Sequence, residues 1–163
     1  MSRSVAITDN IPLAVAYRMN GVNFRMSAER LMEGLELDAL GRPAKITAVP
    51  LFFLASHAAE LFLKAALLKR GASVSELKKF EYRHNLSSLL AMLQGKGVQV
   101  SSDTAALVNG LSEQHAEHAL RYDVLVDNGK STYWPPLRLV FSSLDELLLL
   151  TRVGADSGAS TIQ

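Results

Sequence analysis

The stretch Ala48 to Arg70, AVPLFFLASHAAELFLKAALLKR, decides the fold class. It is apolar on nearly every face. Its interior ionisable residues His57, Glu60 and Lys64 recur at steps of three and four, so a helix places them on one narrow stripe. A helix that is apolar on all other sides belongs in the middle of a bundle. Three ionisable groups in one span argue against a membrane helix.

The segments on either side also show helical periodicity, and few stretches alternate as strands do. These segments predict an all-α fold, a bundle of four to five helices in one domain spanning residues 1–163. We expect an ordered bundle over about 11–152, with a flexible N-terminus (1–10) and a flexible tail (153–163). Helix boundaries follow from the capping residues. The first predicted helix runs from Pro12 to about Leu35 with Asn10 as N-cap, and the second begins at Ala48 with Thr47 as N-cap and Gly71 as stop. The third runs from His84 to Gln94, and the fourth from Ser102 or Asp103 to about Asp123. Ser143 opens the fifth.

Two capping boxes and two apolar patterns refine this outline. Ser73 with Glu76, and Ser143 with Glu146, have the spacing of capping boxes. One apolar stripe runs along the first helix; its members are Val15, Met19, Val22 and Met26. The run Leu147 to Leu150 exceeds what one face of an exposed helix carries, so the last helix either lies deep in the core or covers a partner subunit.

Composition narrows the function classes. Of 163 residues, 48% are hydrophobic and 20% charged, and the formal net charge is +1. Broad phosphate binding usually needs a far more basic chain, so any nucleic-acid contact must come from a local patch. There are no cysteines, which excludes disulfides, cysteine-ligated zinc and thiol catalysis. The first ten residues lack the apolar run of a secretory signal, and we expect a cytoplasmic protein with no membrane association.

Three pieces of sequence, in this order and spacing, resemble the HEPN domains of bacteria and archaea. They are HAAELFLKAALLKRG at 57–71, ELKKFEYRHNLSSLL at 76–90 and ALRYD at 119–123. The resemblance covers roughly residues 50 to 125. It implies an up-and-down helical bundle that often dimerises, and an activity as a metal-independent ribonuclease or as the toxin partner of a nucleotidyltransferase-like antitoxin. Other members of the family have lost catalysis and act as binding modules.

The chain departs from the family at its catalytic signature, an arginine followed four to six residues later by a histidine. None of its four histidines has an arginine at that distance upstream. The nearest imitation is Lys79 before His84, and lysine lacks the bidentate fork of arginine. The standard ribonuclease signature is therefore missing, and catalysis is the less favoured expectation.

One candidate polar pocket follows from combining the stripe on the second helix with the late Arg-Tyr pair. If the fourth helix packs as the resemblance implies, His57 and Glu60 meet Arg121 and Tyr122, with His118 beside them. This group is the candidate catalytic or binding site. The alternative is a structural or solvent-facing ion-pair stripe, since Glu60 and Lys64 have the favourable four-residue spacing. A buried Glu60 in either case needs a partner.

A second candidate site is the densest basic cluster of the chain, formed by Lys78, Lys79, Arg83 and His84. These residues are suited to phosphate groups, and the neighbouring Phe80 and Tyr82 are suited to stacking on bases. Glu76 and Glu81 dilute the positive charge, so a solvated turn is the alternative. His84 has its own alternative, as a cap of the third helix or a partner of a loop carbonyl.

No cofactor is expected. His115 and His118 lie three apart on the fourth helix, whereas two zinc ligands on one helix more often lie four apart, so buried polar residues are the favoured interpretation. Nucleophile and phosphate-loop motifs are absent. Two functions stay open: a HEPN-like module bound to RNA or nucleotides, in a toxin–antitoxin or defence system, and a non-catalytic homodimeric interaction module.

Overall fold

The computed structural model describes residues 10–43, 45–116 and 134–152, with the side chains of 45–47 and 114–116 outside the description. The described residues form an all-helical protein, as expected; one isolated antiparallel bridge joins Leu37 and Pro43. A 3₁₀ turn at Leu31–Gly34 extends the first helix. The α-helices are α1 (Ile11–Arg30), α2 (Lys45–Lys69), α3 (Val74–Leu77), α4 (Leu86–Gly95), α5 (Ser102–Ala116) and α6 (Leu137–Leu150).

Helix α2 is the central rod that its composition predicts. It packs against α1, α4, α5 and α6, and most of its side chains are buried. Phe52 in its first half stacks on Trp134 at 4.3 Å between ring centroids. Among the described helices, α2 alone is long and apolar enough to cross a membrane, and other helices bury 83% of its most apolar window.

The two ends of α2 differ in how well the sequence anticipates them. The predicted N-cap, Thr47, is wrong, because the helix already begins at Lys45 and Pro50 lies in its second turn. The predicted stop at Gly71 is confirmed. Gly71 has a φ of 81°, and its N–H bonds to Leu68 while the N–H of Ala72 bonds to Leu67, which is the Schellman arrangement.

Asn10 precedes α1, but its side chain makes no capping hydrogen bond, so the predicted cap is wrong. Its amide group instead donates to the carbonyl of Ala72, 3.2 Å away. The start of α1 is thereby tied to the chain just beyond the end of α2. The two helices consequently run antiparallel.

Helix α1 packs against α2 through small residues spaced seven apart: Ala14, Gly21 and Ala28 are buried. A Cβ added at Gly21 would lie 2.6 Å from the ring of Phe62, so this close approach requires glycine. The larger apolar residues of the predicted stripe are not the core face. Val15, Met19 and Met26 are exposed, together with Ile11, and only Val22 is partly covered.

The short helix α3 and the start of α4 reverse the chain after α2. The predicted capping box is confirmed, since Ser73 accepts from the Glu76 N–H and the Glu76 carboxylate accepts from the Ser73 N–H. The hydrogen bonds from the Ser73 N–H and hydroxyl lower the pKa of Glu76. Asn85, one residue later than expected, caps α4 by accepting from the Ser88 N–H at 3.0 Å.

The second predicted capping box is wrong. Helix α6 begins at Leu137, immediately after Pro135-Pro136, so Ser143 and Glu146 lie inside it. Glu146 caps a different helix instead. Its carboxylate accepts from the N–H and hydroxyl of Ser101, at 2.8 and 2.6 Å, and from the Thr104 hydroxyl at 2.6 Å. Because Ser101 and Thr104 lie at the start of α5, the Glu146 carboxylate of α6 caps the N-terminus of α5.

The leucine run of α6 is mainly a core feature. Leu147 is 1% exposed and Leu148 is packed against the core, whereas Leu149 is 55% exposed. Arg70 at the end of α2 donates to the carbonyl of Leu150 at 3.0 Å. The run therefore seats α6 on the bundle, and one leucine of the four projects outward.

Candidate functional site

Three basic side chains converge on one buried carboxylate, that of Glu60 in the middle of α2. Glu60 is 2% exposed, and its oxygens lie close to Lys64, His84 and His57. The step of four along α2 brings Lys64 onto the same side of the helix, and the step of three brings His57. We call these four residues the Glu60 cluster.

Lys64 joins the Glu60 cluster to the chain that follows α3. Its ammonium nitrogen lies 2.5 Å from Glu60 Oε1 and donates a second hydrogen bond, of 2.7 Å, to the carbonyl of Arg83. Lys64 is itself 8% exposed. The buried pair thus satisfies its own charge and holds one point of the segment 78–85 against α2.

His84 makes the second attachment. Its Nδ1 lies 3.2 Å from Glu60 Oε1 and 3.4 Å from Oε2. The expectation that His84 caps the next helix is wrong, because Asn85 does so. The assignment of His84 to the basic patch stays a prediction, and its Nδ1 faces the buried carboxylate. An Nδ1–H in this position donates to Glu60, as in carboxylate–histidine pairs that orient the imidazole ring.

His57 occupies the aromatic side of the cluster. Its ring meets Phe24 of α1 edge to face at 4.4 Å between centroids, and lies parallel to Phe53 at 6.4 Å. Its Nδ1 is buried, has no hydrogen-bond partner among the described residues, and lies 3.7 Å from Glu60 Oε2. At that distance the contact is too long for a hydrogen bond.

The basic patch itself lies on a tight turn. The carbonyl of Lys79 accepts from the N–H groups of Tyr82 and Arg83, at 3.0 and 2.9 Å, so Phe80 and Glu81 stand at the tip. Lys78, Lys79 and Arg83 are exposed. Phe80 is 90% exposed, whereas Tyr82 is partly buried and packs against the core. We call residues 78–83 the basic turn.

The structure therefore joins two sites that the sequence pattern treats separately. His84 follows the basic turn in the chain but contacts the Glu60 cluster, and the Arg83 carbonyl receives Lys64. The rest of the predicted pocket is not described. His118, Arg121 and Tyr122 lie outside the described residues, as does the side chain of His115.

Comparison of the chain with protein-family models, with curated proteins and with solved structures finds no match. The HEPN resemblance stays a prediction. The function of the two joined sites must be inferred from their own geometry.

The arrangement divides the chemistry into a buried part and an exposed part. The buried part is a charge-paired anchor: Glu60 and Lys64 neutralise one another, and within the described stretches of chain no group of three or more acidic or histidine side chains is placed to hold a metal ion. The exposed part offers three cations and one anion, Glu81, around an uncovered aromatic ring. Exposed cations beside an aromatic ring favour an anionic ligand that carries a flat group.

Only some of the groups that contact the Glu60 cluster could be predicted from the local sequence pattern. Lys64 and His57 share the helical stripe with Glu60 and were expected beside it. His84 lies 24 residues further along the chain, and only the reversal through Gly71 and α3 brings it back. The Arg83 carbonyl has no signal in the sequence, because any residue supplies one.

Proposed function

We propose that the chain is a HEPN-like helical module that binds RNA or nucleotides through the basic turn. The observation that carries the proposal is the two-point attachment of this turn to a buried ion pair. Lys64 bonds the Arg83 carbonyl and Glu60 contacts His84, while Lys78, Lys79 and Arg83 project into solvent. Cations on an anchored turn lose less conformational freedom when they bind phosphates, which favours affinity.

Charge supports a local rather than a broad contact. The whole chain has a net charge of +1, yet the basic turn has three cations against Glu81, a local excess of two. Glu76 is not counted against these cations, because its carboxylate is bonded to Ser73 in the capping box. Such a patch suits a short phosphate-bearing ligand, and its contacts weaken as salt rises.

The resemblance supplies the biological setting of the proposal. A HEPN-like module of this size suits a toxin–antitoxin or defence system, with a nucleotidyltransferase-like antitoxin as partner. The missing arginine–histidine signature favours binding without catalysis. Glu60 and His84 belong to the proposed site as the anchor of the binding turn.

Equilibrium binding tests the proposal directly. Fluorescently labelled RNA and labelled ATP are titrated with the protein at low ionic strength, where phosphate contacts are strongest. We expect binding that a triple variant, Lys78→Ala/Lys79→Ala/Arg83→Ala, abolishes. Arg138→Ala, an exposed arginine on α6, is the matched control and should bind as the parent does. Absence of binding to both ligands at low salt would refute the proposal.

A second candidate function, a non-catalytic homodimeric interaction module, is favoured by a different surface. We propose as its interface the stripe on α1 that faces away from α2, whose exposed members are Ile11, Val15, Met19 and Met26. A contiguous exposed apolar surface of this kind marks interaction sites. The leucine run of α6 no longer supports this candidate, because the core accounts for most of it.

Sedimentation distinguishes the second candidate from a monomeric binding module. If the stripe joins two copies, Met19→Asp should convert a dimer into a monomer, since Met19 is 51% exposed at its centre. Leu40→Asp is the control, because Leu40 is 62% exposed but lies in the turn after α1. A parent protein that sediments as a monomer at all concentrations would eliminate the homodimer.

A further inference from the structure

Phe80 is the most exposed of the large apolar residues described, and its position explains why. It is the second residue of the turn Lys79–Tyr82, whose closing bond runs from the Tyr82 N–H to the Lys79 carbonyl. The backbone of the turn bends beneath it, so the side chain is 90% exposed. Hydrophobic residues exposed singly are common, but this one lies between cations.

The other aromatic residue of the same turn is partly buried. Tyr82 packs against the core, so it is not free to stack on a ligand as Phe80 is. His84 is likewise directed to Glu60. Of the aromatic groups that the sequence places at the patch, the structure leaves Phe80 as the ring that a ligand can cover.

We propose that Phe80 is the stacking platform for one unpaired base of a single-stranded nucleic acid, whose neighbouring phosphates contact Lys78, Lys79 and Arg83. This inference rests on the proposed function and names its ligand. Charge complementarity selects a polyanion, and the exposed ring selects one with flat groups. In a duplex the bases are paired and stacked on one another, so Phe80 would have no base face to cover.

Hydrogen bonds before and after Phe80 hold the backbone of the basic turn in place. Lys64 holds the Arg83 carbonyl and Glu60 holds His84, so the chain after Phe80 is fixed to α2 at two points. The N–H groups of Lys78 and Lys79 bond to the carbonyls of Val74 and Glu76, which fixes the chain before it. The backbone that carries the ring and the cations is therefore held on both sides of Phe80.

Binding of four probes to the intact chain tests the inference. The probes are a ten-nucleotide uridine RNA, its thymidine DNA counterpart, an RNA duplex and inorganic polyphosphate of comparable charge. We expect the two single strands to bind more tightly than the duplex and the polyphosphate. Phe80→Ala should weaken single-strand binding by about five- to 150-fold, the range for loss of one base stack, and leave polyphosphate binding unchanged.

Conservative variants and salt separate stacking from charge. Phe80→Trp should retain single-strand affinity, while Phe80→Leu should lose it as the alanine variant does, because leucine is apolar but has no π face. Phe80→Ala should keep the salt dependence of the parent. Lys79→Ala should reduce the slope of log K against log salt concentration by about 0.7, the value for one phosphate contact to a single strand.

The possible negative results distinguish the stacking inference from the proposed function. Binding to the single strands that Phe80→Ala leaves unchanged, while Lys79→Ala weakens it, would overturn the stacking platform and leave the proposed function standing. Equal affinity for polyphosphate or for the RNA duplex would overturn selectivity for a single-stranded nucleic acid. Absence of binding to all four probes would overturn the inference, and absence of ATP binding as well would overturn the proposed function. Because Phe80 is exposed, thermal unfolding should be the same in its variants and the parent.

Discussion

The ammonium group of Lys64 and the carboxylate of Glu60 lie 2.5 Å apart in the interior of the protein. Both residues are on α2, and both are almost fully buried. Two charges withdrawn from water cost several kcal/mol each unless they remain paired, so each of these side chains requires the other. The pair also holds the basic turn against α2, so its loss should affect both folding and the proposed ligand binding.

Lys64→Met should destabilise the protein by about 3–5 kcal/mol, the usual cost of leaving a buried charge without its partner. The double variant Glu60→Gln/Lys64→Met should be less destabilised than Lys64→Met alone, because no charge then remains buried at position 60. Urea unfolding of the parent, both single variants and the double variant measures this difference. A double variant that is less stable than Lys64→Met would contradict the pairing.

Gly21→Ala should lower the free energy of unfolding by about 1–3 kcal/mol. The added methyl group would lie 2.6 Å from the buried Phe62 ring, and this clash outweighs the better helix propensity of alanine.

The control for Gly21→Ala is Gly110→Ala in α5, where nothing lies within 4 Å of the added Cβ. That substitution should raise the free energy of unfolding by about 0.5–1 kcal/mol. Urea unfolding of both variants provides the comparison. If Gly21→Ala raised the free energy of unfolding as Gly110→Ala should, the close approach of α1 to α2 would be disproved.

The sequence predicts features whose cause is local. The central position of α2 follows from an apolar surface all around it, and the stop at Gly71 follows from the left-handed conformation that glycine adopts at low cost. The capping box of Ser73 and Glu76 needs only four residues. Each of these signals lies within one helix or one turn.

The predictions are wrong where a side chain bonds to a residue that lies far away in the sequence. Glu146 has the spacing of a capping box with Ser143, but it bonds to Ser101, 45 residues away, because α5 and α6 pack side by side. The apolar stripe on α1 does not mark the core face of that helix, for another reason. The residues that face α2, such as Ala14 and Gly21, are small because the helices approach closely, so the larger exposed residues dominate the apolar pattern.

Acid should remove the stabilisation that Glu146 supplies. Its partial burial alone would raise its pKa, but the hydrogen bonds from Ser101 and Thr104 outweigh burial, and the pKa lies below its usual value. A carboxylate with a lowered pKa in the folded protein stabilises it above the unfolded pKa of about 4.3. That contribution disappears as the pH falls through the folded pKa.

Glu146→Gln should therefore cost about 1 kcal/mol near neutral pH, and the difference from the parent should shrink below about pH 4.3. Urea unfolding at pH 7, 5, 4 and 3 follows the change. Glu113→Gln, an exposed substitution on α5 with the same loss of charge, is the control and should cost much less at pH 7. A difference that grows as the pH falls would mean that Glu146 does not act as an ionised cap.

The leucine run of α6 gives a test of whether that helix serves the core or a partner. Leu147→Ala should destabilise by about 2–5 kcal/mol, because Leu147 is 1% exposed and its removal leaves a cavity. Leu149→Ala should change stability by no more than about 0.5 kcal/mol, since Leu149 is 55% exposed. Unfolding at two protein concentrations shows whether either value depends on association. A Leu149→Ala loss of several kcal/mol that grows with concentration would mean that a second copy covers α6, and the interface proposed on α1 would then lie on the wrong face.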